Sequence, residues 1–246
     1  MARWRVGVDS GGTFTDICLF DAEARRVEVW KVASTPDDPA RGIVEGVEEG
    51  LRRVSGDGGD NGGDRPAAAV AYFGHGTTVA TNALIQHRGV PTGLITTAGF
   101  RDLLEIGRQK RPDLYDLFAD KPPTLVPRER RFEVAERVRH TGEVETALDE
   151  DAVRAAARRL RDARVGAVAV CFLYSFVRPE HERRAKAIVR EELPDAFVCA
   201  SHEIAPEFRE FERLSTAVVN AYLGPVMRGY LGRLGPRLAA LGLGVS

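Results

Sequence analysis

Two aspartates, two adjacent glycines and three hydroxyl residues fall within eight positions near the amino end, Asp9-Ser10-Gly11-Gly12-Thr13-Phe14-Thr15-Asp16. Adjacent glycines allow positive φ and let backbone N–H groups come close to a ligand. Converging N–H groups form an anion nest. Carboxylates at the mouth of such a nest repel a phosphate unless a hard cation stands between them. Mg²⁺, bound through one or two carboxylates plus phosphate oxygens, meets that requirement. The chemistry these residue types can do together is to hold nucleotide phosphates. The competing reading is an ordinary hairpin whose glycines serve only the turn, since glycine dominates tight turns. The P-loop and the G-x-G-x-x-G fingerprint are both excluded, because each requires a helix to begin at the phosphate.

A second stretch, Gly74-His75-Gly76-Thr77-Thr78-Val79-Ala80-Thr81-Asn82-Ala83, sets a histidine between glycines at a strand-to-helix junction. Such junctions line the mouths of α/β sheets; the plainer reading is a histidine bonded to a nearby carbonyl. Arg108 and Arg111 could meet an anionic substrate group or be solvated surface cations. His181, flanked by Glu180 and Glu182, has no second histidine at i+4 and reads as helix surface. Asp57, Asp60 and Asp64 alternate with glycine but lack calcium-loop spacing and its terminal Glu, so Ser55 to Asp64 reads as a surface insertion.

The elements that must position these groups follow from hydrophobic period. Val6 to Val8 and Ile17 to Phe20 read as two strands around a tip at Ser10 to Thr13, and Val27 to Val32 as a third antiparallel strand. Asp38 is expected as an N-cap before Pro39, with Ile43, Val47, Leu51 and Val54 as the inward stripe of a helix. Strands are expected at Ala67 to Phe73, Thr92 to Thr97, Arg131 to Val138, Ala167 to Leu173 and Ala196 to Ala200. The fourth of these is continuously apolar and therefore central. Helices are expected from Thr77–Thr78, from Asp149 to Asp162 and after Pro179, with a short turn at 99–109. Pro112 to Pro127 is proline-rich and irregular, packing on a neighbour or covering a cleft. From Glu207 the chain turns helical, and Gly224-Pro225 is expected to split it into two helices.

Composition narrows the class. The chain has 246 residues, 43 % hydrophobic and 29 % charged, with net charge −1, which suits an ordinary globular make-up with no electrostatic case for nucleic acid or an anionic membrane. No apolar run approaches the ~20 residues of a membrane helix. The start has no apolar leader segment. Cys18, Cys171 and Cys199 lie far apart in apolar runs and read as reduced core thiols of a cytoplasmic protein.

Asp9 to Asp16 resembles the first phosphate motif of the ATPase superfamily that includes actin, the heat-shock chaperones and sugar kinases. Gly74 to Ala83 resembles the HGTTxATNA element of the hydantoinase/5-oxoprolinase family. Further stretches match that family in order: Leu94 to Asp102, Glu105 to Gln109, Arg178 to Glu182 (without the family's asparagine) and Arg209 to Thr216. The resemblance implies an α/β fold, an RNase H-like (actin-type ATPase) mixed sheet with flanking helices, followed by the helical start of a second domain. It implies a family domain over 1–200 and the start of the main domain over 201–246. It also implies ATP and Mg²⁺ as cofactors and a cyclic-amide substrate, hydantoin or 5-oxoproline, opened through a phosphorylated intermediate. The same motifs fit an ATP-dependent ketone carboxylase subunit, and a non-catalytic nucleotide-binding fragment is the third reading. By the resemblance Ser10, Gly11, Gly12, Thr13 and Thr15 cradle phosphates, and Asp9 and Asp16 position the metal and the attacking group. His75 is then catalytic, while Gly76, Thr77, Thr78 and Asn82 face the substrate. A hydantoinase B-type subunit or fused domain is the implied partner, and an oligomer is compatible with it. No second Asp-x-Gly-Gly-Thr follows Asp16, so the chain is expected to be the amino-terminal part of a longer protein and inactive alone.

Overall fold

The computed structural model describes residues 4–55, 70–116 and 118–243. The aspartate-glycine segment at 56–64, and the calcium reading weighed for it, lie outside the described residues. The chain divides into two compact units, 1–88 with 226–246, and 89–225. The boundary expected at 200/201 falls within the second of these.

The first unit opens with β1 (Trp4–Ser10), β2 (Phe14–Asp21), β3 (Arg26–Ala33), α1 (Pro39–Ser55), β4 (Val70–Thr77) and α2 (Val79–Ile85). Its sheet runs β3-β2-β1-β4, with β1 antiparallel to β2 and parallel to β4. Alternation decides the faces. Val6, Val8, Ile17 and Leu19 point to one side, where α1 lays Ile43, Val47 and Leu51 against them as its period requires. Each such side chain contributes roughly 1.5–3 kcal/mol on burial. Gly50 lets the Trp30 indole lie flat on α1, since a Cβ there would stand 1.7 Å from the ring. The indole Nε1 donates to the Gly46 carbonyl at 3.0 Å.

Asp38 precedes Pro39 as expected, but its carboxylate does not cap the helix. Arg237 draws it away at 2.6 Å, with Arg233 at 3.5 Å. Thr35 takes the capping role, accepting from the Gly42 N–H at 3.0 Å. Burial pushes the Asp38 carboxyl up, but the Arg237 hydrogen bond and the two guanidinium charges outweigh it and hold the group below the usual carboxylate range. A long-range charge pair thus displaces a local cap.

The second unit adds β5 (Thr92–Thr97), α3 (Leu103–Ile106), β6 (Arg131–Val134), β7 (Arg137–Val138), β8 (Val144–Thr146), α4 (Glu150–Asp162), β9 (Ala167–Cys171), α5 (Glu180–Glu192), β10 (Phe197–Ala200) and α6 (Ser201–Ile204). Its sheet, β10-β9-β5-β6, is all parallel, and every residue of β9 is buried. Helices α4 and α5 cover one face, with Val153, Leu160, Ile188 and Val189 in that core. On the other, Leu214, Ala217 and Val218 pack on Leu94 and Ala169. Asp149 caps α4 as expected, accepting from Ala152 N at 2.9 Å.

Three expectations fail here for physical reasons. The strand expected over 131–138 is broken, because Glu136 turns into the core, where Thr97 donates to it and His181 Nδ1 lies 2.9 Å away. His181 is therefore not helix surface; its side chain is 13 % exposed. Finally, α7 (Glu210–Ala240) continues through Gly224-Pro225. An interior proline costs about 3 kcal/mol, less than two buried side chains return. Ala221 and Tyr222 are buried before it, Tyr230 and Leu234 after it. Gly224 also admits the Phe197 ring, which a Cβ would meet at 2.6 Å.

Candidate functional site

The antiparallel register of β1 and β2 sets Asp9 directly opposite Asp16. Neither strand offset nor bulge separates them, and both belong to the face not covered by α1. Like charges directly opposite one another destabilise a sheet. Lys31 relieves Asp16 at 3.1 Å, both groups being half exposed. Asp9 has no hydrogen-bond or ion-pair partner among the described residues, and its Oδ1 would stand 3.3 Å from a Cβ on Gly76. Glycine at 76 keeps that carboxylate uncrowded.

The turn between the strands is braced from beneath. Ser10 and Thr15, expected to face phosphate, are instead buried at 2 % and 1 % exposure. Thr15 Oγ1 reaches Ser10 Oγ at 3.4 Å and shares a 3.0 Å hydrogen bond with Ser34 Oγ. Ser34 also donates its hydroxyl to the Gly11 carbonyl at 2.8 Å and its N–H to the Thr13 carbonyl at 2.9 Å. These hydroxyls shape the loop; its exposed tip is left to Gly12 and Thr13. Neither glycine takes a positive φ, contrary to the expectation. Close approach explains them instead: a Cβ on Gly11 would lie 3.1 Å from the Phe14 carbonyl oxygen, and one on Gly12 3.3 Å from Asn82 Nδ2. The Gly11 N–H is spent on Phe14 at 3.0 Å, whereas those of Gly12 and Thr13 have no acceptor among the described residues.

The second motif runs alongside, because β4 extends to Thr77 where a loop was expected from Gly74. The strand was expected to begin at Ala67, but residues 67–69 lie outside the described ones. Parallel pairing sets Val8 beside His75, Asp9 beside Gly76 and Ser10 beside Thr77. Thr78 donates its N–H to the Ser10 carbonyl at 3.1 Å, Thr77 Oγ1 accepts from Val79 N at 3.2 Å, and Asn82 Nδ2 donates to Thr78 Oγ1 at 3.1 Å. Gly76, Thr78 and Asn82 thus gather at the turn between β1 and β2 rather than form a separate pocket.

His75 does not join the carboxylates. Sharing Val8's face, it turns away from Asp9 and bonds Tyr230 through Nε2. Tyr230 is 1 % exposed; burial pushes its phenol up, against the Thr77 side chain, which pulls it down. Burial holds the His75 imidazole below its ordinary value, against the Val8 carbonyl and the Asp9 charge, which push it up. A depressed folded-state value means this contribution to stability is whole above about pH 6.5, the unfolded value, and is lost as pH falls through the folded one. Acidifying from pH 7.5 to 5.5 should therefore lower the unfolding midpoint of the first unit, and less steeply in His75→Gln; equal slopes in the two proteins would exclude His75 as the cause.

Both groups that sequence patterns missed, Ser34 and Tyr230, come from distant positions. Ser34 was findable, since pairing Phe14 with Ala33 brings the end of β3 to the turn. Tyr230 lies 155 residues from His75 and gives no local signal. Arg108 pairs with Glu212 at 2.7 Å in the second unit.

The residues present fit a magnesium nucleotide. Two opposed carboxylates need a cation, Mg²⁺ asks for no more than one or two, and two N–H donors stand free for phosphate oxygens. The Lys31 pair is no obstacle, as exposed pairs are worth about 0–1 kcal/mol. Among the described residues no group of three or more His, Cys, Asp or Glu gathers as a self-sufficient metal site. No helix among them is long and apolar enough to cross a membrane. Cys171 and Cys199 are buried and free as expected, burial pushing the Cys171 thiol up to about 11, while Cys18 is only half-buried.

Known proteins resemble this chain in sequence and fold. The family described as Hydantoinase/oxoprolinase N-terminal region matches residues 5–193. Caprolactamase subunit alpha of Pseudomonas jessenii is 42 % identical over 98 % of this chain and 34 % of its own. The crystal structure of that ATP-dependent caprolactamase superposes with a TM-score of 0.83, covering 97 % of this chain and 34 % of the other. A nucleotide-free acetone carboxylase structure, described as performing ATP-dependent acetone carboxylation, gives 0.86 at 28 % identity over 98 % of this chain and 35 % of its own. The 5-oxoprolinase 1 of Arabidopsis thaliana is 32 % identical over 93 % of this chain and 19 % of its own. The chain thus spans about a third or less of the length of these relatives. The mixed α/β fold with flanking helices is the one these solved structures share.

Proposed function

This chain belongs to the hydantoinase/oxoprolinase N-terminal family, and on that premise we propose that it carries the first phosphate-binding half of an enzyme that opens a cyclic amide at the expense of ATP. The observation that carries the reading is the facing pair Asp9 and Asp16 at a turn with two free N–H donors. Gly12 and Thr13 would hold terminal phosphate oxygens, and the two carboxylates would hold Mg²⁺ and orient the attacking group. ATP, when bound, supplies the phosphoryl group that activates an amide carbonyl oxygen. Phosphoryl transfer is mostly positioning and electrostatics, which is what a braced turn offers. Ser10, Thr15 and Ser34 keep the turn's shape. Thr78 and Asn82 form its wall toward the substrate, and His75 positions β4 through Tyr230 without touching the reacting atoms. The caprolactamase and 5-oxoprolinase likenesses favour a lactam or cyclic imide, the acetone carboxylase likeness an enolisable ketone.

The family's N-terminal region, matched over residues 5–193, carries one such turn, so the chain alone would lack the second phosphate loop of such ATPases. A hydantoinase B-type subunit or fused domain would complete it in the cytoplasm. Calorimetric titration of ATP·Mg²⁺ into the chain should give weak binding, with Kd on the order of 0.1–1 mM, and no turnover. Steady-state hydrolysis at about 1 s⁻¹ or faster would overturn the view that a second half is required; no heat at any ATP concentration would overturn the nucleotide site itself.

A further inference from the structure

One line of residues crosses the sheet of the first unit near the turn. Register sets Lys31 of β3 beside Asp16 of β2, Asp16 beside Asp9 of β1, and Asp9 beside Gly76 of β4. Alternation puts all four on the face opposite α1. Neighbouring strands lie roughly 4.8 Å apart, so an ammonium, two carboxylates and a glycine stand in a row about 14 Å long.

Lys31 leans toward the turn. Its Nζ lies 3.1 Å from Asp16 Oδ1 and 5.3 Å from the centre of the Phe14 ring. Phe14 stands two residues nearer the tip than Asp16, on the same face of β2. The negative face of an aromatic ring attracts a cation, so the ammonium has a second hold that does not depend on Asp16. The adjacent positions of β3 on this face, Val29 and Ala33, carry no charge. Among the described residues of β1 to β4, the other cation on this face is Arg5, four residues from Asp9 and roughly 13 Å away along the strand.

Charge balance gives Lys31 a use. Mg²⁺ between Asp9 and Asp16 cancels the charge of that pair, and the nucleotide's own charge then meets the neutral N–H groups of Gly12 and Thr13. A lysine ammonium is a compact cation with three donors on a flexible stem, suited to phosphate oxygens. The metal also releases it, since a dication attracts Asp16 about twice as strongly as an ammonium at equal distance.

We propose that Lys31 is the terminal-phosphate ligand of this turn. With Mg²⁺ on the carboxylates, its ammonium passes from Asp16 to a terminal phosphate oxygen and so distinguishes a nucleoside triphosphate from a diphosphate. The inference rests on the reading of Asp9 to Asp16 as a magnesium-nucleotide turn, and it adds the residue that recognises the third phosphate. Without nucleotide, Lys31 eases the repulsion between the two carboxylates.

The test is calorimetric, with ATP and ADP each titrated at saturating Mg²⁺ into an enzyme carrying this chain. Lys31→Met should weaken ATP binding about 10-fold or more and ADP binding less than about 3-fold. Lys31→Gln should give the same pattern, and ATP-dependent turnover should fall about 10²-fold in both. Arg26→Met removes the same charge from β3 at its far end, where Arg26 pairs with Glu28 at 3.0 Å; it should leave both affinities unchanged. Unfolding midpoints should differ little among these proteins. An ATP-to-ADP affinity ratio that both Lys31 variants leave unchanged would overturn the assignment, whether the two affinities hold or fall together, and would leave the nucleotide site standing. No heat with either nucleotide in the unmodified enzyme would overturn the magnesium-nucleotide reading itself, and this inference with it.

Discussion

In an enzyme carrying this chain, Asp16→Asn should leave the fold intact and lower ATP-dependent turnover at least about 10³-fold, roughly 4 kcal/mol of transition-state stabilisation. The substitution keeps shape and removes charge. Its structural cost is small, because Asp16 meets only Lys31, across a half-exposed 3.1 Å pair of a kind worth about 0–1 kcal/mol. Its neighbour in register, Asp9, has no such pair, so Asp9→Asn should relieve repulsion and hold or slightly raise the unfolding midpoint. Turnover should fall as far as with Asp16→Asn. With both carboxylates acting on one cation, as proposed, the double variant should lose little more than either single one. Steady-state kcat/KM with saturating Mg²⁺, alongside thermal unfolding, checks both parts. Retained ATP-dependent activity in Asp16→Asn would remove that residue from the mechanism.

The largest effect on stability is expected at Glu182, in the second unit. Its carboxylate is 0 % exposed. It accepts from Phe172 N at 2.8 Å, Ser201 Oγ at 2.6 Å and His202 N at 2.9 Å, and lies 2.7 Å from His202 Nδ1. The ends of β9 and β10 and the start of α6 are thus tied to one side chain on α5. Glu182→Ala strands several buried donors at about 1–3 kcal/mol each, and breaking a buried charged contact costs about 3–5 kcal/mol. Against the 5–15 kcal/mol that holds a domain together, the second unit should lose most of its stability. Glu182→Gln should cost about 1–3 kcal/mol, since an amide leaves one side with a donor facing donors. Chemical denaturation measures both. A loss under 1 kcal/mol in Glu182→Ala would mean the network relaxes onto water.

What could be read before the structure was known divides along physical lines. Local signals held: the paired strands around Gly11 and Gly12, the stripe of Ile43, Val47 and Leu51, the Asp149 cap and the wholly apolar β9 all depend on neighbours in sequence. Long-range charge and packing decided the rest. Arg237 took Asp38 from its cap; Glu136 and His181 met in a core that no local pattern announces. At the site, residue types picked out the turn, while strand alternation, carried through the register of β1 and β4, sorted them by face. It put Asp9 with Asp16 and Gly76, and His75 on the far side with Tyr230. Alternation is legible in a sequence, but only once the strand is known to run to Thr77. Two glycines and a histidine at 74–76 hid that strand, since glycine weakens any strand pattern.

On the proposed reading, Gly12, Thr13, Asp9 and Asp16 together grip magnesium-bound phosphates. Amide N–H resonances of the ¹⁵N-labelled chain, followed as ATP·Mg²⁺ is added, test it most directly. The Gly12 and Thr13 signals should move first and furthest, moving little when ATP is added without Mg²⁺ or when Asp9 is asparagine. Shifts gathered at residues 104–124, with the Gly12 and Thr13 signals still, would place the nucleotide elsewhere and rule this turn out as the phosphate site.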